Sequence, residues 1–81
     1  MTVNEIRDIV PDALICDGYD EAIIGLAERK GMGPVVAYNK EKIIEILMQR
    51  DGMSYNDAIE FFEYNIIDAW VGEMTPVFIE I

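Results

Sequence analysis

The sequence has no histidine and only one cysteine, Cys16, among its 81 residues. Without histidine, the chain cannot build Ser-His-Asp or Cys-His catalysis, a histidine-ligated zinc site, or the usual general base that titrates near neutral pH. One thiol can form neither an internal disulfide nor a thiolate metal site. Because Cys16 lies in an apolar segment with no base close to it in sequence, we expect it to be a small core residue rather than a nucleophile.

Long apolar runs are also missing, although 52% of the residues are hydrophobic. No stretch approaches the roughly 20 apolar residues that span a bilayer. The first ten residues lack the basic start and apolar stretch of a signal peptide. Together with the single cysteine, these absences predict a cytosolic protein with no membrane partner. The length fits a single domain over residues 1–81.

Basic residues are scarce: six Lys and Arg stand against 16 Asp and Glu, which gives a net charge of −10. Such a charge repels nucleic acids and anionic membranes and attracts basic protein surfaces. We therefore expect no direct binding of nucleic acid and a partner with a basic surface, with simple solubility as the other explanation of the charge. The "GMG" at residues 31–33 precedes a strand and lacks a following Lys-Ser/Thr pair, so we expect no phosphate-binding loop and no cofactor.

Cap and turn residues divide the chain into elements in the order α-β-β-β-α-α-β. The three helices are predicted from their N-cap residues, which are Thr2, Asn39 and Ser54. The four strands are predicted from apolar runs bounded by turn residues, at residues 13–16, 21–28, 34–38 and 75–81. Short reversals make the first three strands antiparallel, and the two later helices cover one face of the sheet. The predicted fold is therefore an α+β two-layer sandwich with an antiparallel sheet of about four strands.

The last predicted helix, residues 55–71, has two different sides. At about 100° per residue, its apolar side gathers Ala58, Phe62, Ile66, Ala69 and Trp70. The opposite side, called here the acidic helix face, comprises Asp57, Glu60, Glu63, Tyr64 and Asp68. An aromatic residue ringed by charge is typical of an interface anchor. We predict that this face contacts a partner, and an ordinary solvated face is the alternative.

A second group of acids surrounds a bend in "DGYDE", residues 17–21. The spacing does not match a calcium-binding loop, although a magnesium ion that keeps its waters could accept Asp17, Asp20 and Glu21. Tyr19 and, in space, Glu73 could complete such a metal or small-molecule site. We predict first a hairpin turn, with the metal site as the alternative. Paired carboxylates can also perform acid–base catalysis, but so short a chain leaves little room for a substrate cleft, and we expect no enzyme.

Three stretches resemble a family of small uncharacterised proteins that recur in bacteriophage genomes. They are "DGYDEAIIGLAER", "VVAYNKEKIIEILMQRDGMSYNDAIEFFEYNI" and "AWVGEMTPVF", within residues 17–78. Members of the family run from a D-G-[FY]-D-[ED]-A-I-I-G segment to a closing G-E-x-T-P-[IV]-F strand. At Asp68 and Trp70 this sequence departs from the Gly and Tyr that the family commonly has. The resemblance implies a phage accessory protein that acts in the cytoplasm of the infected cell.

The sequence therefore predicts a non-enzymatic protein that binds and modulates or inhibits a host protein. A small acidic domain can imitate the phosphate backbone and occupy a basic nucleic-acid channel, as in host defence complexes. Besides the metal or ligand site, self-assembly stays an alternative, as a homodimer or as a structural protein of the virion. It is based on surplus apolar residues, which are Ile23, Phe61 and Ile67.

Overall fold

A computed structural model describes residues 1–67, 72 and 74–81. Its helices and strands are α1 (Val3–Ile9), β1 (Ile23–Arg29), β2 (Met32–Asn39), α2 (Lys40–Arg50), α3 (Tyr55–Phe61) and β3 (Val77–Ile79). A 3₁₀ turn, Asp20–Ala22, precedes β1, and a π-helical segment, Phe62–Ile66, continues α3. The α+β class predicted from the sequence is confirmed.

The helix starts are set by local hydrogen bonds, as the sequence predicts. The Thr2 hydroxyl accepts from the Glu5 N–H at 3.2 Å, and the Glu5 carboxylate accepts from the Thr2 N–H at 3.0 Å. These bonds hold the pKa of Glu5 below its ordinary value. Asn39 and Ser54 cap α2 and α3 through side-chain oxygens that accept backbone N–H groups three residues on. Gly52 follows α2 with φ 71°, a left-handed conformation that favours glycine.

The sheet has the order β1-β2-β3. Strands β1 and β2 form an antiparallel hairpin, but β3 pairs parallel to β2, with Tyr38 opposite Phe78. The prediction of about four antiparallel strands is therefore wrong in two respects, because the described part of the chain forms three strands and the last is parallel. The physical reason is that the chain passes through α2 and α3 between β2 and β3, and such a long crossover is what a parallel pair requires.

Residues 13–16, predicted as a strand, form no strand. Their backbone is held by a side chain instead, since the Cys16 N–H donates to the Tyr38 hydroxyl at 2.8 Å. The Tyr19 N–H then donates to the Cys16 carbonyl at 3.3 Å, which closes a turn. The predicted hairpin at residues 17–20 is therefore wrong, and the apolar run before it serves core packing without a partner strand.

Side chains of the sheet and of all three helices share one core cluster. The Phe78 ring on β3 stacks on Tyr38 at 5.7 Å between ring centres and meets the edge of Phe62 at 5.2 Å. Cys16 is buried in the same cluster, as predicted. The largest fully buried side chains are Tyr38, Phe62, Ile6, Ile43, Ile44, Leu47 and Val36. The core thus ties α3 and its π-helical continuation to the sheet.

The predicted apolar side of the last helix is confirmed where the structure describes it. Ala58 and Phe62 are completely buried, and Ile66 is 6% exposed. Ala69 and Trp70 lie outside the described residues. The helix begins as an α-helix and changes to a π-helix at Phe62, whose N–H donates to the carbonyls of both Ala58 and Ile59.

Candidate functional site

The helix α3 and the π-helical segment present much of the acidic helix face to solvent. Asp57, Glu60, Glu63 and Tyr64 are exposed, and Tyr64 is 70% exposed. The fifth predicted residue, Asp68, lies outside the described residues. Because Ala58, Phe62 and Ile66 on the opposite side of the helix are buried in the core, the helix that carries this face is packed firmly against the rest of the protein.

Glu63 differs from Asp57 and Glu60 because it has a basic partner in the structure. The Glu63 carboxylate lies 3.8 Å from the Lys40 ammonium, which also donates to Glu80 on the chain after β3 at 2.9 Å. The ammonium lies 5.3 Å from the centre of the Phe62 ring. The pKa of Lys40 is raised, chiefly by its hydrogen bond to Glu80 and further by the nearby carboxylates. Glu63 therefore helps to join the helices to β3, a role that the sequence analysis missed.

Asp57, Glu60 and Tyr64 are brought together around a shallow groove. The groove is lined by Met53, Asp57, Glu60, Phe61, Tyr64 and Asn65. Those on the helix are three or four positions from one another, so the helical path makes them neighbours, and Met53 comes just before the Ser54 N-cap. Neither the Asp57 nor the Glu60 carboxylate has a Lys or Arg partner among the described residues. The groove thus combines two uncompensated negative charges with an exposed aromatic ring; we call it the Tyr64 groove.

The acidic loop at residues 17–21 is held by an arginine from α2. Arg50 donates to the Gly18 carbonyl at 2.8 Å and to the Tyr19 hydroxyl at 3.4 Å. Its guanidinium also lies 5.0 Å from the centre of the Tyr19 ring. Asp51 accepts from the same guanidinium at 3.1 Å, which raises the pKa of Arg50 and lowers the pKa of Asp51. The sequence does not predict these Arg50 contacts, because Gly18 and Tyr19 are more than 30 positions away from Arg50.

The geometry does not assemble the acidic loop into a metal site. Asp20 and Glu21 line an open depression beside Arg50, together with Gly18, Ile46 and Gln49. Among residues 1–67, 72 and 74–81, no group of three Asp, Glu or Cys side chains is placed to hold a metal ion. Glu73, which the sequence analysis added to this site, lies outside the described residues. The cation that the structure does place against this loop is the Arg50 guanidinium.

Replacing Arg50 with alanine is expected to lower the free energy of unfolding by a small, measurable amount, because hydrogen bonds from a charged donor are lost at a solvent-exposed site. Urea denaturation measures this change, and faster amide exchange at Tyr19 and Asp20 would localise it. The control is Arg7→Ala, because within the described part of the chain the Arg7 guanidinium donates a single long bond, to the Pro11 carbonyl at 3.4 Å. Equal losses in the two variants would show that Arg50 does not fasten the loop.

Comparison with known proteins adds no relative: no protein-family model, curated protein or solved structure matches the chain. Within the described residues, no helix combines the length and the apolar character that crossing a membrane requires.

Proposed function

We propose that the protein is a non-enzymatic interaction protein that binds a basic surface of another protein through Asp57, Glu60 and Tyr64. The observation that carries this proposal is the Tyr64 groove, where two carboxylates with no basic partner among the described residues line the same groove as a tyrosine that is 70% exposed. Exposed aromatic rings that become desolvated in a complex supply much of the affinity of protein interfaces. Unpaired carboxylates attract basic partners over longer distances.

The buried side of the helix keeps the binding face already folded before a partner arrives. Ala58 and Phe62, on the other side of the helix, are completely buried. Binding therefore need not order the helix first, and a preorganised surface loses less entropy on association. The net charge of −10 raises the encounter rate with any basic partner.

The resemblance to phage proteins supplies the biological setting of the proposal. In that setting the partner is a host protein in the cytoplasm whose basic surface normally binds nucleic acid, such as a defence complex. The carboxylates of Asp57 and Glu60 take the place of phosphates. Occupying the basic surface inhibits the host protein.

The two edge strands of the sheet are poorly suited to self-assembly by strand pairing, which favours contact with a different protein. The pairing of β1 with β2 is irregular at two points, between Ile23 and Gly25 and between Ala27 and Arg29. At the other edge, β3 has only three residues. Bulged and short edge strands are poor templates for pairing with another chain. A homodimer stays an alternative that sedimentation would test.

Reversing both charges in Asp57→Lys/Glu60→Lys is expected to reduce partner binding at least about tenfold, because attraction becomes repulsion at the contact. Tagged wild-type and variant proteins would be incubated with bacterial lysate, and the retained proteins quantified by mass spectrometry. The partner's association rate with each protein would then be measured at several salt concentrations. We expect a slower rate and a weaker salt dependence for the variant.

The matched control is Asp8→Lys/Asp12→Lys, which changes the net charge equally at exposed positions on and after α1. This variant should keep most of the binding. If the two double variants lose binding equally, the net charge and not this face governs association. If a partner binds both of them as well as the wild type, the proposed face is wrong.

A further inference from the structure

We infer that the Tyr64 groove receives an arginine side chain of the partner protein, an inference that rests on the proposed function and specifies its contact. The groove has an apolar floor, since Met53 and Phe61 are partly buried and pack against the core. Tyr64 also lines the groove, and the carboxylates of Asp57 and Glu60 give it a negative charge. This combination matches a side chain with an apolar stem and a flat cationic head.

The floor of the groove fits the stem of the arginine. The methylene groups of long basic side chains cover apolar surface while their charged ends stay in contact with water or carboxylates. Met53 and Phe61 pack against the core and offer such a stem a partly exposed apolar surface. The groove is shallow, which suits one extended side chain rather than a bulky ring.

The head of the side chain distinguishes arginine from lysine. A guanidinium is planar, stacks on aromatic rings and donates two parallel hydrogen bonds to a carboxylate, whereas an ammonium is a compact and strongly hydrated charge. Tyr64 offers the ring, and the two carboxylates lie at the same groove. Charge complementarity is unmet within the described chain, because neither Asp57 nor Glu60 has a basic partner there.

The chain itself contains the arrangement that we infer. The guanidinium of Arg50 lies over the Tyr19 ring while Asp51 accepts from it at 3.1 Å. The Tyr64 groove presents the same kinds of side chain, a tyrosine and carboxylates, with no arginine among the residues that line it. Tyr64 also lies in the π-helical segment Phe62–Ile66, and π-helical turns occur frequently at functional sites.

The test is a titration of the ¹⁵N-labelled protein with two acetylated, amidated peptides, GRGRGRG and GKGKGKG, followed by NMR. Both peptides carry the same charge. We expect the arginine peptide to shift the amide signals of Phe61, Tyr64 and Asn65 and to bind at least about threefold more tightly than the lysine peptide. Tyr64→Ala should bring the ratio of the two dissociation constants close to one, and Tyr64→Phe should preserve it.

Several results would overturn the inference. If both peptides bind equally and both weaken in Asp57→Asn/Glu60→Gln, the arginine specificity is wrong while the acidic contact face stands. If neither peptide shifts these amides but the lysate partner is lost on double charge reversal, the inference fails and the proposed function stands. If the peptides do not bind and the partner is retained, both fail. If acetyl-arginine amide binds as tightly as the peptide, the groove serves a small molecule and not a protein segment.

Discussion

Replacing Phe62 with alanine is expected to lower the free energy of unfolding by about 3–5 kcal/mol, the cost of removing a large aromatic side chain from a packed core. Phe62 is completely buried, it meets the Phe78 ring edge-on at 5.2 Å, and Lys40 lies over its face. Small domains have a total stability of about 5–15 kcal/mol. The loss is therefore a large part of what an 81-residue chain has, and the melting temperature should fall by at least about 12 °C.

Thermal and urea denaturation followed by circular dichroism would measure this loss. Tyr55→Ala is the matched control, because it truncates an aromatic side chain that is 51% exposed on the same helix. Its effect should stay within about 0.5 kcal/mol. Phe62→Leu should fall between the two, since it keeps the apolar volume but loses the ring contacts. If Phe62→Ala costs no more than Tyr55→Ala, the packing of α3 on the sheet is wrong.

The same substitution connects stability to the proposed binding face. Phe62 begins the π-helical segment that carries Tyr64. Loosening the segment should weaken binding of a basic partner even under conditions where most of the protein is still folded, because the contact surface would have to become ordered on association. Stability and affinity are thus coupled through one buried ring beneath the face.

Local features of this fold can be predicted from the sequence, because their causes lie within a few residues. The N-caps at Thr2, Asn39 and Ser54 all appear as predicted, and the Thr2–Glu5 capping box and the left-handed Gly52 after α2 have equally local causes. Helical periodicity also separates the buried side of α3 from its acidic side. These interactions are made between residues three or four positions apart.

Features that depend on distant contacts cannot be predicted in this way. The apolar residues 13–16 resemble a strand, but the Tyr38 hydroxyl, 22 positions away, satisfies the Cys16 N–H in place of a neighbouring strand. Similarly, the parallel direction of β3 depends on where the helices return the chain to the sheet. Hydrophobic pattern alone identifies an apolar segment without fixing its hydrogen-bond partner.

The candidate site shows the same division. The sequence places Asp57, Glu60, Glu63 and Tyr64 on one helix face, and the structure exposes all four. It cannot show that Lys40 neutralises Glu63, because that lysine belongs to another helix. Of the three acids of this face that the structure describes, Glu63 is paired with Lys40, whereas Asp57 and Glu60 have no basic partner among the described residues and line the Tyr64 groove.

The second large effect concerns Tyr38, whose replacement by phenylalanine is expected to cost about 1–3 kcal/mol at neutral pH. The Tyr38 hydroxyl accepts from the Cys16 N–H at 2.8 Å, and both residues are buried. Removing the hydroxyl leaves that N–H without this acceptor in a site that water does not reach. Tyr64→Phe, which removes an exposed hydroxyl, is the control and should be nearly neutral. Equal stability of both variants would contradict the inferred role of the hydrogen bond.

The loss of stability caused by Tyr38→Phe should become smaller at alkaline pH. Burial raises the pKa of the Tyr38 hydroxyl above its ordinary value of about 10. Above a pH of about 10, the unfolded chain releases a proton that the folded protein keeps. The free energy of unfolding of the wild type therefore falls by about 1.4 kcal/mol per pH unit because of this group. Below that pH, the group makes its full contribution to stability. Tyr38→Phe lacks the titrating group.

Urea denaturation from pH 8 to 11 should therefore show the stabilities of wild type and Tyr38→Phe converging as the pH rises above about 10. Lys40, whose pKa is also raised, loses its contribution in the same range, but it is present in both proteins and leaves their difference unchanged. A gap that stays constant across this range would mean that Tyr38 ionises as readily in the folded protein as in the unfolded chain. That result would contradict its burial at the centre of the sheet, on which the packing of Phe78 and Phe62 depends.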